Sequence, residues 1–417
     1  MPDNEGSLAK ANSRSSGLFR YTLAMRNLIL LSLCAAVALP AVCQFRIENS
    51  GTTASLRGID SVGKGVAWAS GTGGTILRTV DGGKHWEHCA VPPDAQKLDF
   101  RGVQAFDDKT AVVMSSGKGD LSRIYKTTDG CATWKLVFTN PDGDGFFDGL
   151  RLRVPLQVNL SRPAVRSGSV IGDPVDGKFV EFYTEDDGDH WQRQTGGQAG
   201  IPSANDGEAL FAASNSSLLL TQGQGELFVT GGKAGARSRV LSEYVKHDPM
   251  VSWKYIGGDI PLSAGESAGA FAVAAGVLEV GVANTAVNDK WRLLYVSKGM
   301  LVAVGGDYKK PDRAEGTAAF SADSGLHWMK ATTPPHGYRS AVAYDADSRT
   351  WITVGPNGTD VSTDDGKNWH ALIPGAGDDP GADKDWNALS LPFVVGSKGR
   401  IGLLREEGPK ASSSVSR

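Results

Sequence analysis

An all-β fold built from one repeated unit is what this sequence predicts, and three observations carry the expectation. An eight-residue pattern, Ser/Thr-x-Asp-x-Gly-x-x-Trp, returns in full at residues 79–86, 184–191, 321–328 and 362–369. A shorter pattern lies upstream: Leu56-Arg57-Gly58, Phe100-Arg101-Gly102, Phe147-Asp148-Gly149, Gly207-Glu208-Ala209, Ser267-Ala268-Gly269, Tyr338-Arg339-Ser340 and Trp386-Asn387-Ala388, always with Gly, Ala or Ser third. No helix-period amphipathic segment follows residue 44, and glycine, 53 of 417 residues, punctuates short apolar runs. Seven inner-strand patterns, spaced by roughly 45 to 60 residues, predict a seven-bladed β-propeller with four-stranded antiparallel blades.

Each residue type in the longer pattern suits a tight hairpin turn. The short carboxylates of Asp81, Asp186, Asp323 and Asp364 can accept backbone N–H bonds, and the glycine two residues on takes a positive φ without a Cβ penalty. Trp86, Trp191, Trp328 and Trp369 then begin the next strand as apolar anchors. Two copies are altered. Residues 127–134 keep Asp129 and Trp134 but carry Cys131 in the glycine's place, and residues 246–253 keep only Asp248 and Trp253. The last unit, from Trp386 to Leu404, has three strand-like pieces and no such turn, so its fourth strand is expected from Phe45-Arg46-Ile47-Glu48, closing the ring. Two units are oversized, by residues 151–166, with Arg151, Arg153, Arg162 and Arg166, and by residues 272–298. Insertions of this kind map to loops on one face, either as part of a binding surface or as surface hairpins without a role.

Arg26, the 12-residue apolar run from Leu28 to Leu39 and the small-residue site Ala41-Val42-Cys43 make residues 1–43 an export signal, with Met25 a candidate true start. The run is short for a membrane span. Residues 44–407 are then one domain and residues 408–417 a disordered tail. The mature chain is expected to be periplasmic or extracellular, monomeric and without a transmembrane span. The formal net charge of −3 falls to −5 once residues 1–43, with four cations and two anions, are removed, so no basic footprint for nucleic acid exists. Of four cysteines, Cys89 and Cys131 survive processing, and in an exported protein such a pair is expected to be bridged.

In an inner strand, the residue before the small one faces the opposite way, toward a central channel. That expectation places Arg57, Arg101, Asp148, Glu208, Arg339 and Asn387 at a channel mouth, with Tyr338 beside Arg339 and only Ala268 or Gly269 from the fifth strand. Three guanidinium groups suit an anionic or polar ligand, because arginine presents fork-like donors to carboxylate or phosphate. The same residues could instead satisfy one another as a buried network, and both readings stand. Gly265-Glu266-Ser267-Ala268-Gly269 matches a nucleophile elbow literally, but that motif needs a strand-to-helix turn. His85, His190 and His327 each precede a box tryptophan in separate units, and the segment from Asp142 to Asp148 lacks the full ligand set of a calcium loop, so no metal or cofactor is expected.

The eight-residue pattern is the Asp box, and the chain resembles the Asp-box propellers of the bacterial neuraminidase repeat class. Resemblance to sialidases implies an arginine triad, a Tyr nucleophile paired with Glu, and an F/Y-R-I-P motif. Here Phe45-Arg46-Ile47-Glu48 lacks the proline, and sialidases have six blades. A closer resemblance is to exported seven-bladed propellers related to photosystem II stability and assembly factors, many of them from non-photosynthetic bacteria. It is carried by Leu56-Arg57-Gly58, Phe100-Arg101-Gly102, the first box, Gly172-Asp173-Pro174-Val175-Asp176-Gly177, Val304-Gly305-Gly306-Asp307-Tyr308-Lys309-Lys310-Pro311 and Gly337-Tyr338-Arg339-Ser340, and it covers residues 45–405. This resemblance implies a non-enzymatic scaffold that binds a protein partner or a polar, anionic ligand. A glycoside hydrolase acting on an acidic sugar and a lectin-like carbohydrate binder are the alternatives.

Overall fold

The computed structural model describes residues 45–153, 165–195, 201–220, 225–245, 251–276, 279–287, 290–375 and 377–404. The expected export signal, the tail, Arg162 and Asp248 lie outside the described residues. Among the described residues the chain is all-β, as the sequence predicts, with antiparallel sheets, two short 3-10 turns and no α-helix.

Five sheets have four strands each. The first holds Leu56–Gly63, Val66–Gly71, Ile76–Thr79 and Glu87–His88, and the second Phe100–Ala105, Ala111–Ser115, Arg123–Thr127 and Lys135–Thr139. The third holds Phe147–Leu152, Gly168–Val175, Lys178–Thr184 and Gln192–Arg193. Another runs through Ala341–Asp345, Thr350–Gly355, Gly358–Ser362 and His370–Ala371. The terminal sheet joins Trp386–Ser390, Phe393–Gly396 and Ile401–Leu404 to the chain's first described strand, Phe45–Glu48, with Phe45 opposite Leu404 and Glu48 opposite Ile401. Residues 208–330 form a ten-stranded sheet, whose halves meet where Gly231 on Glu226–Gly232 pairs with Gly269 on Gly265–Ala275. A Cβ on Gly269 would lie 2.4 Å from the Gly231 Cα, so only glycine permits this backbone approach.

In four of the five four-stranded sheets, all but that of Ala341–Asp345, the strand bearing the sequence motif is irregular at that motif. Leu56 pairs with Gly71 and Gly58 with Ser70, leaving Arg57 as the extra residue of a β-bulge. Arg101, Asp148 and Asn387 occupy the same place in the second, third and terminal sheets. A bulge bends the strand and re-aims the extra side chain. The glycine that follows is required by crowding, since a Cβ on Gly58 would sit 2.5 Å from Ser70 Oγ and 3.1 Å from the Arg101 carbonyl oxygen.

Two expectations need correction here. In the ten-stranded sheet the residue at the bulge is Phe271, between Ala270 and Ala272, whereas the sequence pattern predicts that the fifth strand offers only Ala268 or Gly269 to the channel. The expected insertion at 272–298 is also shorter, because Gly265–Ala275 continues as a strand, pairing Ala272 with Val304 and Ala275 with Leu301. The added piece is a two-stranded ribbon of Glu279–Val287 and Lys290–Lys298. A run of alanines gives little periodicity, which concealed both the strand and its register.

The core lies in the seams between sheets. Trp68, Phe100, Tyr125 and Trp134 fill the seam between the first and second sheets, and Leu56, Leu77, Trp86 and Phe393 that between the first and terminal sheets. Val112, Phe147, Phe182 and Trp191 join second to third, and Ile171, Phe179, Leu218 and Phe228 join third to the ten-stranded sheet. The ten-stranded sheet meets the sheet of residues 341–371 through Val302, Phe320, Trp351 and Trp369, and that sheet meets the terminal one through Val354, Trp386 and Val394. Each fully buried large side chain contributes about 1.5–3 kcal/mol by leaving water.

Five boxes share one wiring. Thr79 Oγ1 accepts the Gly83 N–H (3.0 Å) and donates to Asp81 Oδ1 (3.0 Å), which accepts the His85 N–H (3.1 Å). The His85 ring Nδ1 then donates to Asp81 Oδ2 (2.6 Å). Thr133, His190, His327 and Asn368 supply that last bond to Asp129, Asp186, Asp323 and Asp364. The position before each tryptophan therefore requires a side-chain donor. Box tryptophans reach the preceding sheet, Trp86 standing edge-on to Phe393 (5.7 Å) and Trp134 to Trp68 (6.4 Å).

The hydrogen bonds from the His85 side chain and backbone lower the Asp81 carboxyl from 3.8 to about 2, and those from Thr133 do the same for Asp129. A carboxyl depressed on folding contributes stability that is present above its unfolded pKa and lost as pH falls through about 2. Asp81→Asn should therefore be less stable than the wild type at pH 7, with the gap closing by pH 2, as followed by urea denaturation monitored through tryptophan fluorescence. A gap that stays constant down to pH 2 would contradict the assignment.

Candidate binding site

Three of the bulge residues, Arg57, Arg101 and Asp148, gather at one locus. Arg101 donates through Nε to Asp99 Oδ2 (2.8 Å) and through Nη1 to the Ala212 carbonyl (3.0 Å), while Arg57 Nε stands 3.8 Å from Asp99 Oδ1. The side chains of Arg57, Arg101 and Asp99 are 31%, 27% and 24% exposed, so each is partly open to solvent, although the Arg57 Nε itself is buried. Burial and the neighbouring Arg101 push the Arg57 guanidinium down, partly offset by Asp99. Asp148 is buried and stands near Arg101. Burial and then Asp173 raise its carboxyl well above the usual range, and its Oδ2 has no hydrogen-bond partner. Two guanidinium groups thus share one carboxylate partner, Asp99.

An aromatic wall completes the locus. Phe211 and Phe271 stack at 4.0 Å, and Tyr338 meets Phe271 edge-on at 4.8 Å. The Tyr338 hydroxyl lies within electrostatic reach of Arg57, Arg101 and Tyr308, and burial raises its pKa. Tyr308 is 47% exposed and also meets Phe271 edge-on, at 6.1 Å.

Of the residues expected at a channel mouth, the structure brings together Arg57, Arg101, Asp148 and Tyr338. Glu208 is buried elsewhere, held by Arg239 Nη2 (2.5 Å), Thr230 Oγ1 (2.7 Å) and the Asn205 N–H (2.9 Å). Arg339 is fully buried. Its Nε and Nη2 both donate to Asp360, and its Nη1 donates to Asn357 Oδ1 (2.6 Å) and the Tyr338 carbonyl (2.7 Å). His336 Nδ1 closes the far side on Asp360 Oδ1 (2.8 Å), a bond that raises the histidine's pKa. Asn387 Nδ2 donates to the Leu56 carbonyl (2.8 Å), tying the terminal sheet to the first.

Nor is the space an open channel. Between Glu208–Ala209 and Leu218–Leu220 the chain leaves the sheet, and residues 210–217 reach four other strand regions. Arg101 bonds the Ala212 carbonyl, the Leu150 N–H bonds Asn215 Oδ1 (2.7 Å), Ser214 Oγ bonds the Ser340 carbonyl (2.7 Å) and the Val273 N–H bonds the Ser216 carbonyl (2.8 Å). Ser214, Asn215, Ser216 and Ser217 are all buried. Sequence reasoning missed this segment, Asp99, Phe211 and Phe271. A signal existed: Leu210-Phe211-Ala212 and Ala270-Phe271-Ala272 have the same apolar-x-small form as Leu56-Arg57-Gly58.

Cys89 and Cys131 are bonded to each other, with Cα atoms 5.2 Å apart, which staples the outer edge of the first sheet to the second box. Among the described residues no three His, Cys, Asp or Glu side chains gather closely enough to hold a metal ion, and no helix is long and apolar enough to cross a membrane. Ser267 Oγ donates to Asp307 Oδ1 (2.7 Å) within a strand, away from any strand-to-helix turn.

The repeated antiparallel sheets and their seams define an all-β protein of β-propeller fold. No protein-family model and no curated protein matches the chain. Among solved structures it is similar to one described as YCF48 bound to D1 peptide, with 15% identity and a TM-score of 0.50 over 89% of this chain and 100% of that one. It is also similar to YCF48 from Cyanidioschyzon merolae, with 16% identity and a TM-score of 0.47 over 87% and 99%.

Proposed function

We propose that this chain is an exported, non-catalytic scaffold whose Arg57 and Arg101 hold an acidic segment of a protein partner, with Phe211 and Tyr308, packed on the buried Phe271, as the apolar wall. The observation that carries the reading is the pair of partly exposed arginine side chains sharing the Asp99 carboxyl group beside stacked aromatics. Arginine and aromatic side chains are enriched where proteins bind proteins. A solved structure of the same fold holds a peptide, that of YCF48 with D1 peptide, which supports a peptide ligand here. The reading includes a single domain of residues 44–407 built as a seven-bladed Asp-box propeller, related to the photosystem II assembly factors, monomeric and located in the periplasm or outside the cell after loss of residues 1–43. Five four-stranded sheets, a ten-stranded sheet that divides at Gly231 and Gly269, and the pairing of Phe45–Glu48 with Ile401–Leu404 all support seven blades and a closed ring.

Binding of fluorescein-labelled decapeptides rich in Asp and Glu, followed by anisotropy, tests the site. Each arginine lost as a charged hydrogen-bond donor, in Arg57→Ala or Arg101→Ala, should weaken binding by about tenfold to a hundredfold. Added salt should weaken binding to the wild type. Equal affinity for acidic and neutral peptides, or unaltered affinity in both variants, would sink the reading. Binding on a glycan array in place of peptides would favour the lectin, and turnover of sialosides or uronides the hydrolase.

A further inference from the structure

Away from that site, two carboxyl groups face each other across the seam between the third sheet and the ten-stranded sheet. Glu181 lies on Lys178–Thr184 and Glu226 on Glu226–Gly232, and both are buried. Two hydroxyls bridge them. Ser169 Oγ lies 3.2 Å from Glu181 and 2.9 Å from Glu226, and the Tyr255 hydroxyl lies 3.0 Å from Glu181 and 3.1 Å from Glu226. Each hydroxyl has one hydrogen to give, so two hydrogens serve four close oxygen contacts. The remaining contacts become hydrogen bonds only if a carboxyl group carries a proton. Among the described residues the cation facing the pair is Arg153, which also donates to the Gly225 carbonyl (3.1 Å), and Tyr255 is the other titratable neighbour. Ionisation of both carboxyls would leave one negative charge in excess, buried beside Phe179, Leu218 and Phe228.

We propose that Glu181 and Glu226 form a proton-sharing latch across this seam, closed while the pair holds one proton and loosened when that proton leaves in mildly alkaline solution. Burial, followed by the charge of Glu226, raises Glu181 to about 8, and burial raises Glu226 as well. Tyr255 is raised too, first by burial, so its hydroxyl stays a donor throughout. A group whose pKa rises on folding contributes stability that is fully present below its unfolded value of 4.5 and lost as pH climbs through about 8. The latch therefore works in the direction opposite to the box aspartates.

A carbon-13 titration of glutamate side-chain carboxyls in the wild-type protein tests the latch directly, and one resonance should titrate above pH 7. In urea denaturation the unfolding constant of the wild type should rise by on the order of a thousandfold between pH 5 and pH 9, relative to Glu181→Gln, whose amide mimics the protonated acid. Amide exchange corrected for its intrinsic rate should quicken at pH 9 in residues 169–172 and 226–230 of the wild type and remain slow in the variant. The proposal is overturned if every glutamate titrates below pH 6.5, or if the wild type and Glu181→Gln respond alike to pH. Should the variant fail to fold, the wild-type titration decides alone.

Discussion

Arg339→Ala will lose about 3–5 kcal/mol of stability, the cost of stripping one partner from a buried ion pair. Asp360, itself buried, would face the protein interior without the two guanidinium bonds it now accepts. Burial alone would raise the Asp360 carboxyl, yet His336 and Arg339 hold it below the usual range, so the carboxylate depends on these partners for its charge. Two further acceptors, Asn357 Oδ1 and the Tyr338 carbonyl, would lose their donor. Arg339→Lys cannot restore the fork, because an ammonium is a point donor. Arg339→Met combined with Asp360→Leu should recover much of the loss, since removing both charges removes the desolvation penalty with them. Equilibrium urea unfolding of the three variants measures this order, and a loss below about 1 kcal/mol in Arg339→Ala would contradict it. Any weakening of ligand binding in that variant is thus a consequence of a damaged fold, in contrast to Arg57→Ala.

Removal of the bond between Cys89 and Cys131 should cost about 4 kcal/mol, the chain-entropy value for a crosslink between residues so separated. Their separation is 42 residues, and the crosslink ties two sheets that otherwise share a seam of apolar side chains. The two possible replacements at Cys131 are not equivalent. Cys131 holds φ 68 where the intact boxes carry glycine, and its N–H donates to Thr127 Oγ1 (3.2 Å). Cys89→Ser with Cys131→Gly restores the repeat's own residue and should exceed Cys89→Ser with Cys131→Ser by about 1 kcal/mol, the usual cost of a left-handed residue bearing a Cβ. Thermal denaturation with and without reductant measures the first effect, and comparison of the two double variants the second. A melting temperature indifferent to reductant would refute the stapling role.

The boxes were legible in the sequence because their chemistry is local. The aspartate, turn glycine and tryptophan anchor fall within eight positions, so the pattern itself marks the turn, whereas the side-chain donor at His85, Thr133 or Asn368 stands at a position the pattern leaves open. Inner strands were legible as far as the small residue, whose neighbours are fixed by crowding. Which carboxylate meets which guanidinium was not legible. Arg339 finds Asp360 21 residues on, Arg239 finds Glu208 31 residues away, and Ser169 finds Glu226 57 away. Such pairings depend on how neighbouring sheets are juxtaposed, about which period-two alternation says nothing. Glu208 was placed at the mouth because Gly207-Glu208-Ala209 fits the motif by composition, whereas Phe211 is the residue that stacks on Phe271. A bulge also breaks the alternation that the expectation relied on.

The terminal sheet gives the molecule an order of assembly. Among the described strands Phe45–Glu48 is synthesised first, yet its partner Ile401–Leu404 is synthesised last. Until then the earliest of these strands has unpaired backbone groups, and so does the free edge of Phe393–Gly396. The entropic penalty of joining ends so far apart grows only slowly with length, so the delay is a hazard of exposure more than of energy. A nascent chain stalled a few residues before Ile401 would thus display its first and last edges together, and another such chain could pair with them.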